Sequence, residues 1–243
     1  MAEVIVDPEL PEQVRRELAW TPLDALRGFC DPPPAPRGRL PPWRRRRTAD
    51  AYHRRYVVPE LDLRGDTVFL WQRTSRAARV IRRSEPVRQG LIDSVRVAVV
   101  LPCHLWEVAE RLALLSGPEW RQAWALGRLD ADDPEVRAVL DGQRRVRELT
   151  IADIEPRVRD LEAFADLAAR ADAALKRQRA LAELAGLNPD YAELLARLGG
   201  SENVLTPADD AADELRAVTR EANAAVRRAN KAAHTLALPA PSG

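Results

Sequence analysis

Apolar residues in the C-terminal half of the chain return every three or four positions, the spacing of one helix face. Val136, Val139, Leu140, Val146 and Leu149 form a first stripe. Ile154, Val158, Leu161, Phe164, Leu167, Ala171 and Leu175 form a second, at steps of 4, 3, 3, 3, 4 and 4. Asp132 or Asp133 supplies a cap ahead of Pro134. The helix is predicted to break or bend around Thr150–Pro156, because an internal proline loses a backbone hydrogen bond and clashes with the preceding turn. It then continues to Gly186 and the stop signal Gly-Leu-Asn-Pro. A short helix follows from Asn188–Pro189 through Leu198, stopped by Gly199–Gly200.

The last helix opens at Thr206-Pro207-Ala208-Asp209, which resembles a capping box, and it carries the sharpest pattern in the chain. Ala211, Leu215, Val218, Ala222, Ala225, Ala229, Ala232 and Leu236 are spaced 4, 3, 4, 3, 4, 3 and 4. A strict 3.5-residue period is a coiled-coil seam, and five alanines in it let a partner helix approach closely. The pattern predicts an antiparallel pair with the helix at 156–186, formed within one chain. A homodimer or a foreign helix would use the same seam. Asn223 and Asn230 fall just off it and read as a polar flank.

The N-terminal half is less regular. Pro11 starts a short helix with Val14 and Leu18 on one face. Asp31 to Trp43 holds six prolines and reads as a linker or surface strap. Tyr56 to Trp71 is rich in β-branched and aromatic residues around Gly65–Asp66, and it predicts a small β-hairpin or extended segment with Pro59 on an edge strand. The Arg64-Gly65-Asp66 tripeptide inside it is read as turn chemistry. Ser84 is a cap for a helix with Pro86 in its first turn and Val87, Leu91, Ile92, Val95 and Val99 along it; Val95–Leu101 fits a buried strand equally well. Pro102 kinks or restarts the chain. Leu105, Val108, Leu112 and Leu115 then share a face up to a stop at Gly117–Pro118, and Trp120 and Trp124 share a face of the next short helix.

The reading is therefore a mainly α protein, a helical bundle whose C-terminal half is a long antiparallel, coiled-coil-like helical hairpin, with a small β-hairpin or extended segment near 56–71. Its segments are an N-terminal helical part (1–30), a Pro/Arg-rich linker (31–55), a mixed part (56–130), the helical hairpin (131–238) and a tail (239–243).

Composition changes this picture in one place. The 243 residues are 46% hydrophobic and carry a formal charge of +1, which excludes wholesale disorder but hides an uneven distribution. Residues 1–36 hold three Arg against seven acids, 37–83 fourteen Arg against four acids, and the remainder is net acidic. Only Lys176 and Lys231 are lysines, and together with the abundant alanine this points to a high-GC bacterial genome. Two cysteines exclude a disulfide scaffold. The acidic start is unlike a signal peptide, and no stretch is apolar enough to span a membrane. The expectation is a soluble, cytoplasmic protein with Cys30 and Cys103 reduced.

Candidate chemistry is sparse. The chain has none of the phosphate-loop, dinucleotide, zinc-protease, serine-elbow or CxxC motifs, and its three histidines, His53, His104 and His234, lie in separate segments. Cys103-His104 is a reactive-looking neighbour pair, but adjacent helical residues point about 100° apart. Asp132–Asp133 and Asp209–Asp210 sit at helix starts, where the dipole accounts for them. No catalytic residue, metal ligand or cofactor is assigned, and no small-molecule substrate is inferred. The functional candidate is the basic block. Trp43, Arg44, Arg45, Arg46 and Arg47 are followed by Arg54 and Arg55, then by Arg76, Arg79 and Arg83 on one helix face. Arginine interleaved with aromatics suits phosphate and unpaired bases. The expected function is a non-enzymatic helical interaction or scaffold protein with a protein partner or a homodimer, self-association running through the C-terminal helix. Non-specific nucleic-acid binding through 37–83 is the alternative, and a membrane surface a third partner class.

Overall fold

The computed structural model describes residues 3–31, 48–130, 133–197 and 208–236. Its elements in chain order are β1 (Ile5–Val6), α1 (Glu12–Ala19), α2 (Thr48–Ala51), β2 (Tyr56–Val57), α3 (Pro59–Asp62), α4 (Asp66–Arg83), α5 (Glu85–Arg88), α6 (Ser94–Leu126), α7 (Pro134–Gly186), α8 (Asn188–Arg197) and α9 (Ala208–Thr235). The protein is mainly α, with one two-stranded antiparallel sheet among the described residues. The chain divides into two compact units: one takes the described residues up to Ala78 together with Ala98–Glu162, the other Arg79–Val97 and Ala163–Leu236.

In the first unit, the predicted hairpin around Gly65–Asp66 does not form. The extended segment is confined to Tyr56–Val57, and its partner is β1, with Ile5 opposite Val57 and Val6 opposite Tyr56. The reason lies in the hydrogen bonds after Leu63. Arg64 donates its N–H to the Ser116 hydroxyl at 2.7 Å and to the Thr67 hydroxyl at 3.0 Å, and Gly65 takes a left-handed φ of 53° that turns the chain into α4. Arg64-Gly65-Asp66 is thus a helix start. The β1–β2 pair closes over Leu10, Leu18, Leu26, Ala49, Tyr56 and Val58, all buried. The Tyr56 hydroxyl also accepts the Arg27 N–H at 3.2 Å. On α6, Leu105, Val108, Ala109, Leu112 and Ala113 are buried, as are Ile154, Val158 and Leu161 on α7.

Prolines interrupt the helices less than the sequence predicts. Val95–Leu101 is helical, and Pro102 and Pro118 both lie inside α6, so Gly117–Pro118 is not a stop. Pro156 lies inside α7, a long bent helix without interruption, so of the break or bend expected around Thr150–Pro156 the break does not occur. An internal proline costs about 3 kcal/mol, whereas burying each large aliphatic side chain contributes about 1.5–3 kcal/mol. Ile154, Val158 and Leu161, all buried around Pro156, outweigh its cost together.

In the second unit, the helix expected to start at Ser84 ends after one turn. Gly90 has φ 72° and the chain restarts at Ser94, which leaves Leu91 and Val95 exposed. Ser84 makes no capping bond; its hydroxyl donates to the Ile81 carbonyl. Along α7 the buried face is Phe164, Ala165, Ala168, Ala171 and Leu175, and along α9 it is Val218, Ala222, Ala229, Ala233 and Leu236. Gln178 donates to Thr219 at 3.2 Å, and Arg177 lies 3.6 Å from Glu221. Residue numbers rise on one helix as they fall on the other, so α7 and α9 pair antiparallel. Asn230 is more than a flank: its side-chain oxygen accepts the Asp93 N–H at 3.0 Å. Arg96 closes the same, C-terminal end of α9 by donating to the carbonyls of Ala233, His234 and Leu236, satisfying groups that a helix C-terminus leaves unpaired.

Candidate interaction groove on α6 and α7

The basic block divides in the structure. Trp43 and Arg44–Arg47 lie outside the described residues. Arg55 is used internally, 2.8 Å from the buried Asp7 carboxylate and 3.5 Å from Glu9. Arg54 is exposed in a left-handed conformation, φ 67°. On α4, Arg76, Arg79 and Arg83 are exposed, whereas Arg73 grips Glu162 through two bonds of 2.8 and 2.7 Å. Among the described residues, Arg54, Arg76, Arg79 and Arg83 form no ion pair.

The predicted seam faces its own chain. Val218, Ala222, Ala229 and Leu236 are buried, Leu215, Ala225 and Ala232 are half-buried, and the Ala211 side chain lies outside the described set. The drift from Ala232 to the buried Ala233 is what a helix of 3.6 residues per turn does to a 3.5-residue repeat.

Neither cysteine is poised as a nucleophile. The Cys103 thiol donates to the Val99 carbonyl within its own helix at 3.2 Å, the Cys30 thiol to the Ala113 carbonyl at 3.3 Å, and burial pushes both thiol pKa values up. Asp62 is a buried carboxylate that accepts the N–H groups of Val58, at 2.7 Å, and of Phe29, tying two segments together. Burial pushes its pKa up to about 6; those two bonds oppose the shift and Asp31 adds to it.

A large open groove lies elsewhere, in the first unit. Leu114, Leu115 and Pro118 of α6 face Val139, Leu140 and Val146 of α7 across an open groove of about 1270 Å³. Ion pairs join its two walls: Arg111 with Asp153, Arg157 with Glu107 at 2.9 Å, and Arg147 with Glu119 at 2.5 Å and with Asp66. The polar contacts hold the walls together and leave the apolar positions uncovered. Val139 is 61% exposed, Val146 64% and Leu149 66%. A Cβ built on Gly142, also in the lining, meets no atom within 4 Å.

The stripe Val136–Leu149 was visible in the sequence, but periodicity marks a face and does not say what covers it. Leu114 and Pro118 were missed because the chain was expected to leave the helix at Gly117–Pro118. Their signal is that Leu114 and Pro118 lie four apart and share a face once α6 is continuous. Among the described residues, no helix is long and apolar enough to cross a membrane. Compared with known proteins, the chain matches no family model, no curated protein and no solved structure.

Proposed function

We propose that this chain is a non-enzymatic helical interaction or scaffold protein, acting in the cytoplasm, whose α6–α7 groove takes an amphipathic helix. One observation carries the reading: the stripe Val139, Val146 and Leu149 stands exposed beside the α6–α7 groove, where a helix of the chain's own core would hide it. Covering each such side chain contributes about 1.5–3 kcal/mol to association, and contiguous apolar surface marks interaction sites. A cleft walled by two helices suits a third helix that presents apolar residues at i, i+3, i+4 and i+7. Self-association through α9 is the weaker form of the reading, because Ala222 and Ala229 are already buried.

Fluorescence anisotropy with a labelled amphipathic leucine-rich helical peptide tests the groove. Saturable binding to the full chain, weakened about tenfold or more by Val139→Glu with Val146→Glu, is expected. No binding, or equal binding by the variant, overturns the reading. Sedimentation without peptide then distinguishes a second copy, which gives a mass that grows with concentration, from a different protein.

A nucleic-acid role is the second reading, favoured by the exposed arginines Arg54, Arg76, Arg79 and Arg83. It predicts binding to generic single- or double-stranded nucleic acid that falls steeply between about 50 and 200 mM salt and weakens when Arg44–Arg47 become serine.

A further inference from the structure

Along α7, arginines pair with carboxylates as a rule. Arg147, Arg157, Arg159, Arg177 and Arg179 each lie within ion-pair distance of an Asp or Glu. Arg145 and Arg170 form no ion pair among the described residues, and on α9 neither do Arg220, Arg227 and Arg228, although the Arg228 Nε donates to the Ala224 carbonyl at 3.3 Å. What sets Arg170 and Arg228 apart is their place: both line the same groove between α7 and α9, of about 400 Å³, with Arg177 as a third guanidinium. Glu221 offsets Arg177 at 3.6 Å, so Arg170 and Arg228 are the two guanidiniums in the lining without a counter-charge, which favours an anion between them.

The floor of this groove is apolar and follows from the seam. Leu167, Ala173 and Ala174 of α7 and Ala225 of α9 line it. Small side chains at these positions leave room that larger ones would fill. We infer that α7 and α9 form a binding site for a small anionic amphiphile, a phosphate or carboxylate head on an alkyl body. The head is held by the guanidiniums of Arg170 and Arg228, whose planar forks match either oxyanion, and the alkyl part lies on the alanine floor. The volume is that of a small-ligand pocket. The site lies on a different stretch of α7 from the α6–α7 groove and shares no lining residue with it.

Calorimetric titration of the full chain with octyl phosphate tests it, with inorganic phosphate and octylamine as comparison probes. Saturable binding of octyl phosphate is expected, with inorganic phosphate at least about tenfold weaker and octylamine not binding. The double variant Arg170→Ala with Arg228→Ala, at two exposed positions, weakens octyl phosphate about tenfold or more while retaining the helical circular dichroism signal. Ala173→Leu fills the exposed end of the floor without removing a charge, and it too lowers affinity. Equal binding of octylamine, or affinity unchanged in both variants, overturns the site. Vesicles of phosphatidic acid in phosphatidylcholine form a parallel arm. Co-sedimentation that needs Arg170 and Arg228 assigns the head group to a lipid surface, and octyl phosphate binding without co-sedimentation assigns it to a free ligand.

Discussion

Cys30 sits so close over Gly117 that a Cβ added to the glycine would lie 2.6 Å from the thiol sulfur and 2.9 Å from the Cys30 Cβ. The contact joins the N-terminal segment to the middle of α6 and leaves no room for a larger residue. Gly117→Ala therefore destabilises the fold by about 1–3 kcal/mol through overpacking, although alanine is the better helix former. Cys30→Gly in the same background removes both clashing atoms and restores part of the loss. Gly142→Ala has the opposite sign: nothing lies within 4 Å of its added Cβ, so helix propensity alone acts and stability rises by about 0.5–1 kcal/mol. Urea unfolding of the three variants checks both signs.

Asp62 makes stability depend on pH in the direction opposite to a salt-bridged acid. Its folded pKa, about 6, lies above the ordinary value of 3.8, so between these values the folded state binds more protons than the unfolded chain. This group's contribution is greatest below the unfolded value and is lost as pH rises through about 6, an effect on the order of 3 kcal/mol. Asp62→Asn removes that slope. The stability of the native protein relative to the variant is expected to increase as pH falls from about 6 to about 4. A flat difference across that window contradicts the assignment.

Glu162 behaves in the ordinary sense. Its hydrogen bonds from Arg73 hold its carboxyl below the usual range, so the stabilisation is present above the unfolded value and fades as pH falls below it. Both side chains are more than a third exposed, so a double-mutant cycle with Arg73→Ala and Glu162→Ala should give a coupling of only about 0.2–1 kcal/mol, reduced by added salt. Arg73→Lys loses the two-pronged geometry and recovers less than half of it.

Ala222 and Ala229 are fully buried on α9, and a carboxylate at either position has no partner there. Ala222→Glu with Ala229→Glu is expected to cost at least about 3 kcal/mol and to lower the thermal midpoint of the helical signal. An unchanged midpoint would show that α9 does not pack through this face.

How far these features could be read in advance depends on the distance over which each is decided. The α9 seam was legible because small residues at steps of 3 and 4 over 26 positions impose one face wherever the helix packs. Cap and stop signals at Asp133, Gly186 and Asn188 were legible for the same local reason; Asp133 accepts the Glu135 N–H at 2.8 Å. The hairpin at Tyr56–Trp71 was not, because β2 pairs with residues some 50 positions earlier and Ser116 captures the Arg64 N–H that a turn would have needed. Pro118 misleads in the same way, as does the break expected at Pro156, since local cost is visible in sequence and tertiary burial is not. The α6–α7 groove was half legible: the Val136–Leu149 stripe is in the pattern, while its exposure depends on where α6 ends.

That exposure is the centre of the functional account, and unfolding of a single variant tests it most directly. With Val139, Val146 and Leu149 all changed to Glu, a face left for a partner should cost little: substitutions at exposed positions stay within about 0.5 kcal/mol each, and the thermal midpoint should shift by no more than a few degrees. A fall of about 10 °C or more would mean that the stripe is part of the protein's own core, and the groove could not then be a docking surface.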